Sequence, residues 1–338
     1  MKNENLHFLF VYYNQNHLLL HANFISLLMK NFIKHVNNIQ KDFPNFNISS
    51  IQKIGEGDNS KAFSVNGEYV FRFPKSEEAK VQMQREIAVL PIIKPFFNIQ
   101  IPEFKFLSPN NKYAGHKIIL GTPLTAEIYH SLKKNTRESI QHSIAQFLFQ
   151  LHHIDLSLLI DYKLETMNLK EEYSENLEQA QDFIYRKISK TKRETITQLF
   201  STYLGDAENF KYDAVLIHND FSKDHILFNT ANQHPPEQVI RAGITGIIDF
   251  GDIALGDPAY DFMYLLDEFG EDFLNGIFKI YKPIDKNKLM RKLIFFSLAN
   301  KVQIIIMEKE TNDSEALKEA YASLDKWLDK WSNTVNNS

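Results

Sequence analysis

From residue 48 onward, short apolar runs alternate with turn residues, which is the pattern of strands rather than of helices. Ile48–Ile54 leads into a glycine-containing turn. Ala62–Val65 and Glu68–Phe73 flank Asn66-Gly67, a dipeptide suited to a tight hairpin. Glu77–Leu90 predicts a helix ending before Pro91, because proline lacks the N–H that a helix interior needs. Another strand is expected at Lys117–Leu120. After Gly121-Thr122-Pro123 the period lengthens, and Ile140, Ile144, Phe147, Leu148 and Leu151 make one helical stripe. Glu171–Lys190 and Arg193–Tyr203 predict further helices, and the chain from Lys286 onward is again helical. Val215–Ile217, Ile226–Phe228 and Ile244–Ile248 read as short strands, and Asn229–Gln238 as an exposed loop. The expectation is an α+β fold with a small antiparallel lobe at 45–120 and a larger helical lobe at 121–338.

The first 44 residues read as an N-terminal extension and a first helix. Phe8–Tyr13 and Leu18–Met29 are largely apolar, but Asn14 to His17 separate them and His21 and Asn23 interrupt the second. Neither a membrane span nor a signal peptide fits this pattern. Met29 precedes the cationic, helix-like stretch Lys30–Lys41 and is expected to be a natural start.

Composition then narrows the classes. The 338 residues are 43% hydrophobic, enough for a substantial core. A net charge of −4 argues against a bulk nucleic-acid binder, and the absence of cysteine excludes thiolate chemistry and disulfides. The expectation is a cytoplasmic monomer with no nucleic-acid or membrane partner.

Three segments can carry chemistry. His218-Asn219-Asp220-Phe221-Ser222-Lys223-Asp224-His225 lies between two expected strands, where Asp220 can align a hydroxyl and take its proton. The same octamer also reads as a polar turn. Ile247-Ile248-Asp249-Phe250-Gly251-Asp252 ends a strand on a carboxylate that a hard cation would accept. It follows Asp220 by 29 residues, the order of a kinase catalytic loop and its metal-binding Asp-Phe-Gly. In Gly55-Glu56-Gly57-Asp58-Asn59-Ser60 the glycines permit close backbone approach to a phosphate and small polar residues such as Ser60 can donate hydrogen bonds to it; a plain hairpin turn is the other reading. Arg72 alternates with Val70 and Pro74 on one strand face, where kinases carry a phosphate-holding Lys; the candidate brace is Glu86.

Together these segments, with Ile119-Leu120-Gly121, Phe147–His152 and Gly256–Phe262, resemble the aminoglycoside phosphotransferase family of the kinase-like fold. Within it the chain is most like the aminoglycoside 2''-phosphotransferases. The resemblance covers roughly residues 45 to 335 and implies a bilobal, protein-kinase-like fold with ATP or GTP as phosphoryl donor. It implies Asp220 as catalytic base or hydroxyl-positioning residue, Asp249 as Mg²⁺ ligand, and Asp261 as a buried support for the loop. Backbone from Lys117 to Leu120, with Lys117 and Ile119 in it, would pair with the purine edge. Two departures stand out: His225 occupies a position commonly held by Asn, and Arg72 stands for Lys. His225 would then ligate the metal directly or through a water, and a catalytically inactive nucleotide-binding relative is the alternative these departures raise.

Residues Asp257–Asp272 hold six carboxylates and no Lys or Arg. Acids at a helix start are one reading; a dock for a polycation is the other. Asp267, Glu268, Glu271 and Asp272 fall where the resembling family holds acceptor amines, whereas Asp257 is expected to shape the turn before Pro258. The expected acceptor is an aminoglycoside or other small cationic alcohol, with a metabolite alcohol or a macrolide as the alternative.

Overall fold

Asn66 and Gly67 take left-handed backbone angles, φ 57° and 68°, in a computed structural model that describes residues 33–57, 59–229, 243–311 and 314–336. Met29 and residues 230–238 of the expected loop lie outside that range. The turn joins β2 (Ser60–Val65) to β3 (Tyr69–Pro74), and β1 (Ile51–Glu56) pairs with β2. With β4 (Phe104–Leu107) and β5 (Ala114–Lys117) they form an antiparallel sheet in the order β1-β2-β3-β5-β4. Alternation along β2 and β3 puts Phe63, Val65, Phe71 and Phe73 on one face, where they bury with Tyr113 and Ile39. Ile39 belongs to α1 (33–42), so the first helix is part of this core. The Tyr113 hydroxyl donates to Asp42 Oδ2 at 2.7 Å and ties that helix to the sheet.

Two local expectations shift here, and one strand is new. The strand expected at Lys117–Leu120 ends at Lys117, because its partner β3 begins at Tyr69, directly after the turn; only Ile118 N–H continues, to Glu68 O. The β4 strand has no counterpart in the sequence reading. The helix α2 (Glu77–Ile93) runs through Pro91 instead of ending before it. Pro91 sits in the last turn, where one missing N–H is tolerated, and the chain then tightens into a 3₁₀ turn at Lys94–Phe96.

Among the described residues, those up to Pro91 together with Pro102–Ile119 make one compact unit, and Ile92–Ile101 with those from Leu120 onward make the second. The second unit is mostly helical: α3 (Ala126–Ser131), α4 (Lys134–His152), α5 (Leu169–Gln179), α6 (Lys190–Gly205), α7 (Met263–Phe269), α8 (Glu271–Tyr281), α9 (Lys286–Thr311) and α10 (Ser314–Asn336). Its strands are β6 (Thr122–Pro123), β7 (Val215–Ile217), β8 (Ile226–Asn229), β9 (Gly243–Ile247) and β10 (Ala254–Gly256). They form a β10-β7 ladder and a β6-β8-β9 sheet. The predicted stripe of α4 is buried from Ile140 to Leu151. The helix expected over Glu171–Lys190 breaks: α5 stops at Gln179, and a wide turn and a 3₁₀ turn follow. Ile188 is extended and Ser189 caps α6, its hydroxyl accepting the Lys192 N–H at 3.3 Å. Among the described residues no helix is long and apolar enough to cross a membrane.

Candidate active site

The loop His218–His225 is set by the strands on either side of it, β7 and β8, and by the apolar residues within it. Phe221 and Phe250, which follow Asp220 and Asp249 closely in sequence, are fully buried and both contact Phe147 of α4. Burying these rings leaves the acidic side chains partly solvated, Asp220 at 36% and Asp249 at 44% exposure. Asn219 and Asp249 both have positive φ, 70° and 65°. Such backbone costs free energy for residues other than glycine and persists where the surroundings enforce it.

The enforcing groups are visible. Asp261, fully buried, accepts the N–H of His218 on Oδ2 and that of Asn219 on Oδ1, each at 2.9 Å. Its Oδ2 also lies 3.0 Å from His152 Nε2, while His152 Nδ1 is 2.8 Å from the Tyr281 hydroxyl. Asn219 Nδ2 donates to Asp252 O at 3.0 Å. His218 Nε2 lies 3.1 Å from the Ile248 carbonyl, which can only accept, so that nitrogen carries the proton. Burial holds the pKa of His218 below the usual histidine value. The loop backbone is thereby locked to the strand that delivers Asp249.

His225 connects the two acids. Its Nδ1 donates to the Asp220 main-chain carbonyl at 2.8 Å and is 3.4 Å from Asp220 Oδ2. Nε2 is 3.6 Å from Asp249 Oδ2. With Nδ1 on the Asp220 carbonyl, Nε2 is turned toward the Asp249 carboxylate, so the two side chains can face one bound cation together. The donor set therefore suits a divalent ion. Among the described residues there is no ready-made group of three or more His, Asp or Glu side chains for a metal. His225 and Asp249 would supply two ligands, with phosphate and water oxygens completing the shell, as magnesium commonly requires.

In the first unit, Arg72 Nη1 pairs with Glu86 Oε2 at 2.7 Å; Glu86 is fully buried and Arg72 is 14% exposed. Lys75, of opposite parity on the strand, goes instead to Glu56 at 3.2 Å. Lys53 foremost, and Lys75 after it, hold the Glu56 carboxyl down at about 2. Around the glycine turn, Gly57 N–H donates to Ser60 O at 3.1 Å, and no heavy atom lies within 4 Å of where a Gly57 Cβ would sit. Gly55 lies within β1 beside a register shift. Lys117 ends β5 with an exposed side chain, and Ile119 is buried. His116, which sequence reasoning passed over, donates from Nδ1 to the Lys117 carbonyl at 2.9 Å. Burial lowers its pKa to about 4.

The acidic run is less uniform than its composition suggests. Asp257 accepts the Ala259 N–H at 2.9 Å and pairs with Lys292, so it shapes the turn as its sequence implies. Asp267 pairs with Lys301 at 2.7 Å. Glu268 accepts the Lys223 N–H at 2.6 Å, and burial raises its pKa. Glu271 and Asp272 lie exposed in the first turn of α8. These pairings were invisible in sequence because the lysines come from other elements.

Comparison with known proteins identifies the family. Residues 50–290 match the model of the phosphotransferase enzyme family, known as APH. A solved complex of the aminoglycoside 2''-phosphotransferase IIIa with GDP and kanamycin is 27% identical at a TM-score of 0.81, covering 88% of this chain and 99% of its own. A gentamicin complex of the 2''-phosphotransferase IIa is 26% identical at 0.67, over 92% and 97%. A macrolide 2'-phosphotransferase of type I, 16% identical at 0.65 over 92% and 99%, shares the fold. A kinase-like α+β architecture, an ordered Asp220 loop and a family match over most of its length lead to one conclusion: this chain belongs to the phosphotransferase enzyme family and is a phosphotransferase.

Proposed function

We propose that the protein is an aminoglycoside kinase that moves the γ-phosphoryl group of ATP or GTP to an acceptor hydroxyl with Mg²⁺, and that it serves in resistance to these antibiotics. The observation that supports this most is the 27% identity over nearly the whole length of a phosphotransferase solved with GDP and kanamycin. Asp220 orients the acceptor hydroxyl and takes its proton as the bond to phosphorus forms. Its direction is favoured by the two donors on its own carbonyl, Ser222 N–H at 3.0 Å and His225 Nδ1–H. His225 and Asp249 would hold the magnesium ion, which when bound neutralises charge on the transferring phosphoryl group. Arg72, steadied by Glu86, binds donor phosphates, and the backbone at Gly55, Gly57 and Ser60 covers them. Lys117 and Ile119 offer main-chain partners for the purine. Positioning and charge neutralisation supply most of the rate enhancement in such transfers. Glu271 and Asp272, and with them Asp267 and Glu268, receive the cationic amines of the acceptor.

The test is a nucleotide-consumption assay with kanamycin or gentamicin, run with ATP and with GTP, followed by mass analysis of the product. Acceptor-dependent consumption is expected with an aminoglycoside; consumption only with a macrolide, choline or homoserine would replace this acceptor assignment. Asp220→Asn is expected to bind nucleotide almost normally, read by thermal shift, and to lose about a thousandfold or more in kcat. Full turnover in that variant removes Asp220 from its role.

A further inference from the structure

Asp257 and Lys292 form an ion pair that the chemistry above does not use, with the two residues 2% and 6% exposed. A pair this far from water adds little net stability, since desolvating both charges offsets much of their attraction. Its connections, however, lead to the Asp220 loop. Asp257 Oδ2 takes the Lys292 ammonium from α9, while Oδ1 accepts the Ala259 N–H and so caps the turn Pro258–Phe262. In the β10-β7 ladder Gly256 lies opposite Val215 and Ala254 opposite Ile217. Asp257 therefore leaves the ladder at the end away from His218, and the capped turn carries the chain back along it. Asp261 sits on that turn and accepts the His218 and Asn219 N–H groups. The turn is thus anchored at its start by Lys292 and grips the loop near its finish. The Lys292 ammonium also lies 5.2 Å from the ring centroid of Tyr212, in the segment that leads into β7. One cation on α9 touches both chain segments that meet at the loop.

The surroundings fit an oriented tie rather than a chance burial. Tyr173 and Tyr203, from α5 and α6, have buried hydroxyls with no hydrogen-bond partner. The Asp257 charge acts on both, although burial itself is the larger influence on each.

We propose that Lys292 is a positioning residue for phosphoryl transfer: by fixing Asp257 it sets the turn from which Asp261 aims the loop bearing Asp220. The link to catalysis rests on the assignment of Asp220 to the acceptor hydroxyl. In Lys292→Met/Asp257→Asn no buried charge is stranded and the Asn side chain keeps an acceptor for Ala259, while the tie to α9 is removed. This double variant is expected to lose about tenfold in kcat with the nucleotide KM within about twofold of wild type. Amide exchange over residues 218–220 is expected to speed up by about tenfold. Wild-type kcat together with wild-type exchange would show that the loop is held without the tie to α9, and the proposal would be lost. If the double variant does not fold, Lys292→Arg decides by the same two readings, since it keeps the charge and changes its geometry. Asp220→Asn, measured alongside, separates the two assignments. If it turns over normally the role of Asp220 falls, whereas exchange at 218–220 still reports whether Lys292 holds the loop.

Discussion

His116 shares a sheet face with Arg72, because it pairs with Val70 while Arg72 pairs with Ala114. Burial lowers its pKa to about 4, the Arg72 charge adds to the effect, and the hydrogen bond to the Lys117 carbonyl opposes it. The unfolded chain binds this proton near the ordinary histidine value and the folded chain resists it. Stability tied to His116 is therefore complete above about pH 6.5 and falls as the pH drops toward about 4. From neutral pH to about pH 5 the loss from this group is about 2 kcal/mol. Urea unfolding at both pH values should show that loss shrinking in His116→Gln; an unchanged pH dependence would mean that the ring is not held neutral. His116 also marks where sequence reading ends at this scale. Asp220, Asp249, Arg72 and Glu86 were legible because each sits at a spacing with a chemical rationale. A buried histidine bonding to its neighbour's carbonyl carries no such spacing.

At the scale of elements, strands and helices with a clear period were readable, and their ends were decided by groups outside the pattern. The α4 stripe was legible because every third or fourth residue is apolar and buried. The end of β5 depends on where its partner strand begins, which its own sequence does not state. The break between α5 and α6 depends on a cap. Ser189 bonds the Lys192 N–H, satisfying one of the donors that a helix start leaves open, and this competes with carrying α5 onward. Ser189→Ala should cost about 1 kcal/mol in urea unfolding, and Ser189→Asp, which keeps the acceptor, should recover most of it. Equal stability of the alanine variant would mean that Ile188 and the wide turn at Ala180–Ile184 fix the break without the cap.

For the whole molecule, a net charge of −4 conceals where the charge sits. The six carboxylates of Asp257–Asp272 were countable in sequence, but their neutralisation was not, because Lys292 and Lys301 lie on α9, and Lys223 on the loop. Asp261 is committed to the backbone of the Asp220 loop, Asp257 to its turn, Asp267 to Lys301 and Glu268 to Lys223, while Glu271 and Asp272 lie exposed in the first turn of α8. If these two receive acceptor amines, each contact at the surface is worth about 1 kcal/mol or less. Losing both should raise the aminoglycoside KM by about tenfold, because 1.4 kcal/mol corresponds to about a factor of ten. Glu271→Gln/Asp272→Asn should do this with kcat nearly unchanged, and added salt should raise the wild-type KM toward the variant's, since exposed charges are screened. The competing account is local: acids in the first turn of α8 favour that helix through its dipole, by about 0.3–1 kcal/mol each. That account predicts a lower melting temperature with an unchanged KM. Asp267→Asn sharpens the distinction, because it leaves the Lys301 ammonium without the carboxylate now 2.7 Å away. An acceptor held by this acidic face should then bind more weakly still, whereas a purely structural role predicts no change in KM for any of the three substitutions.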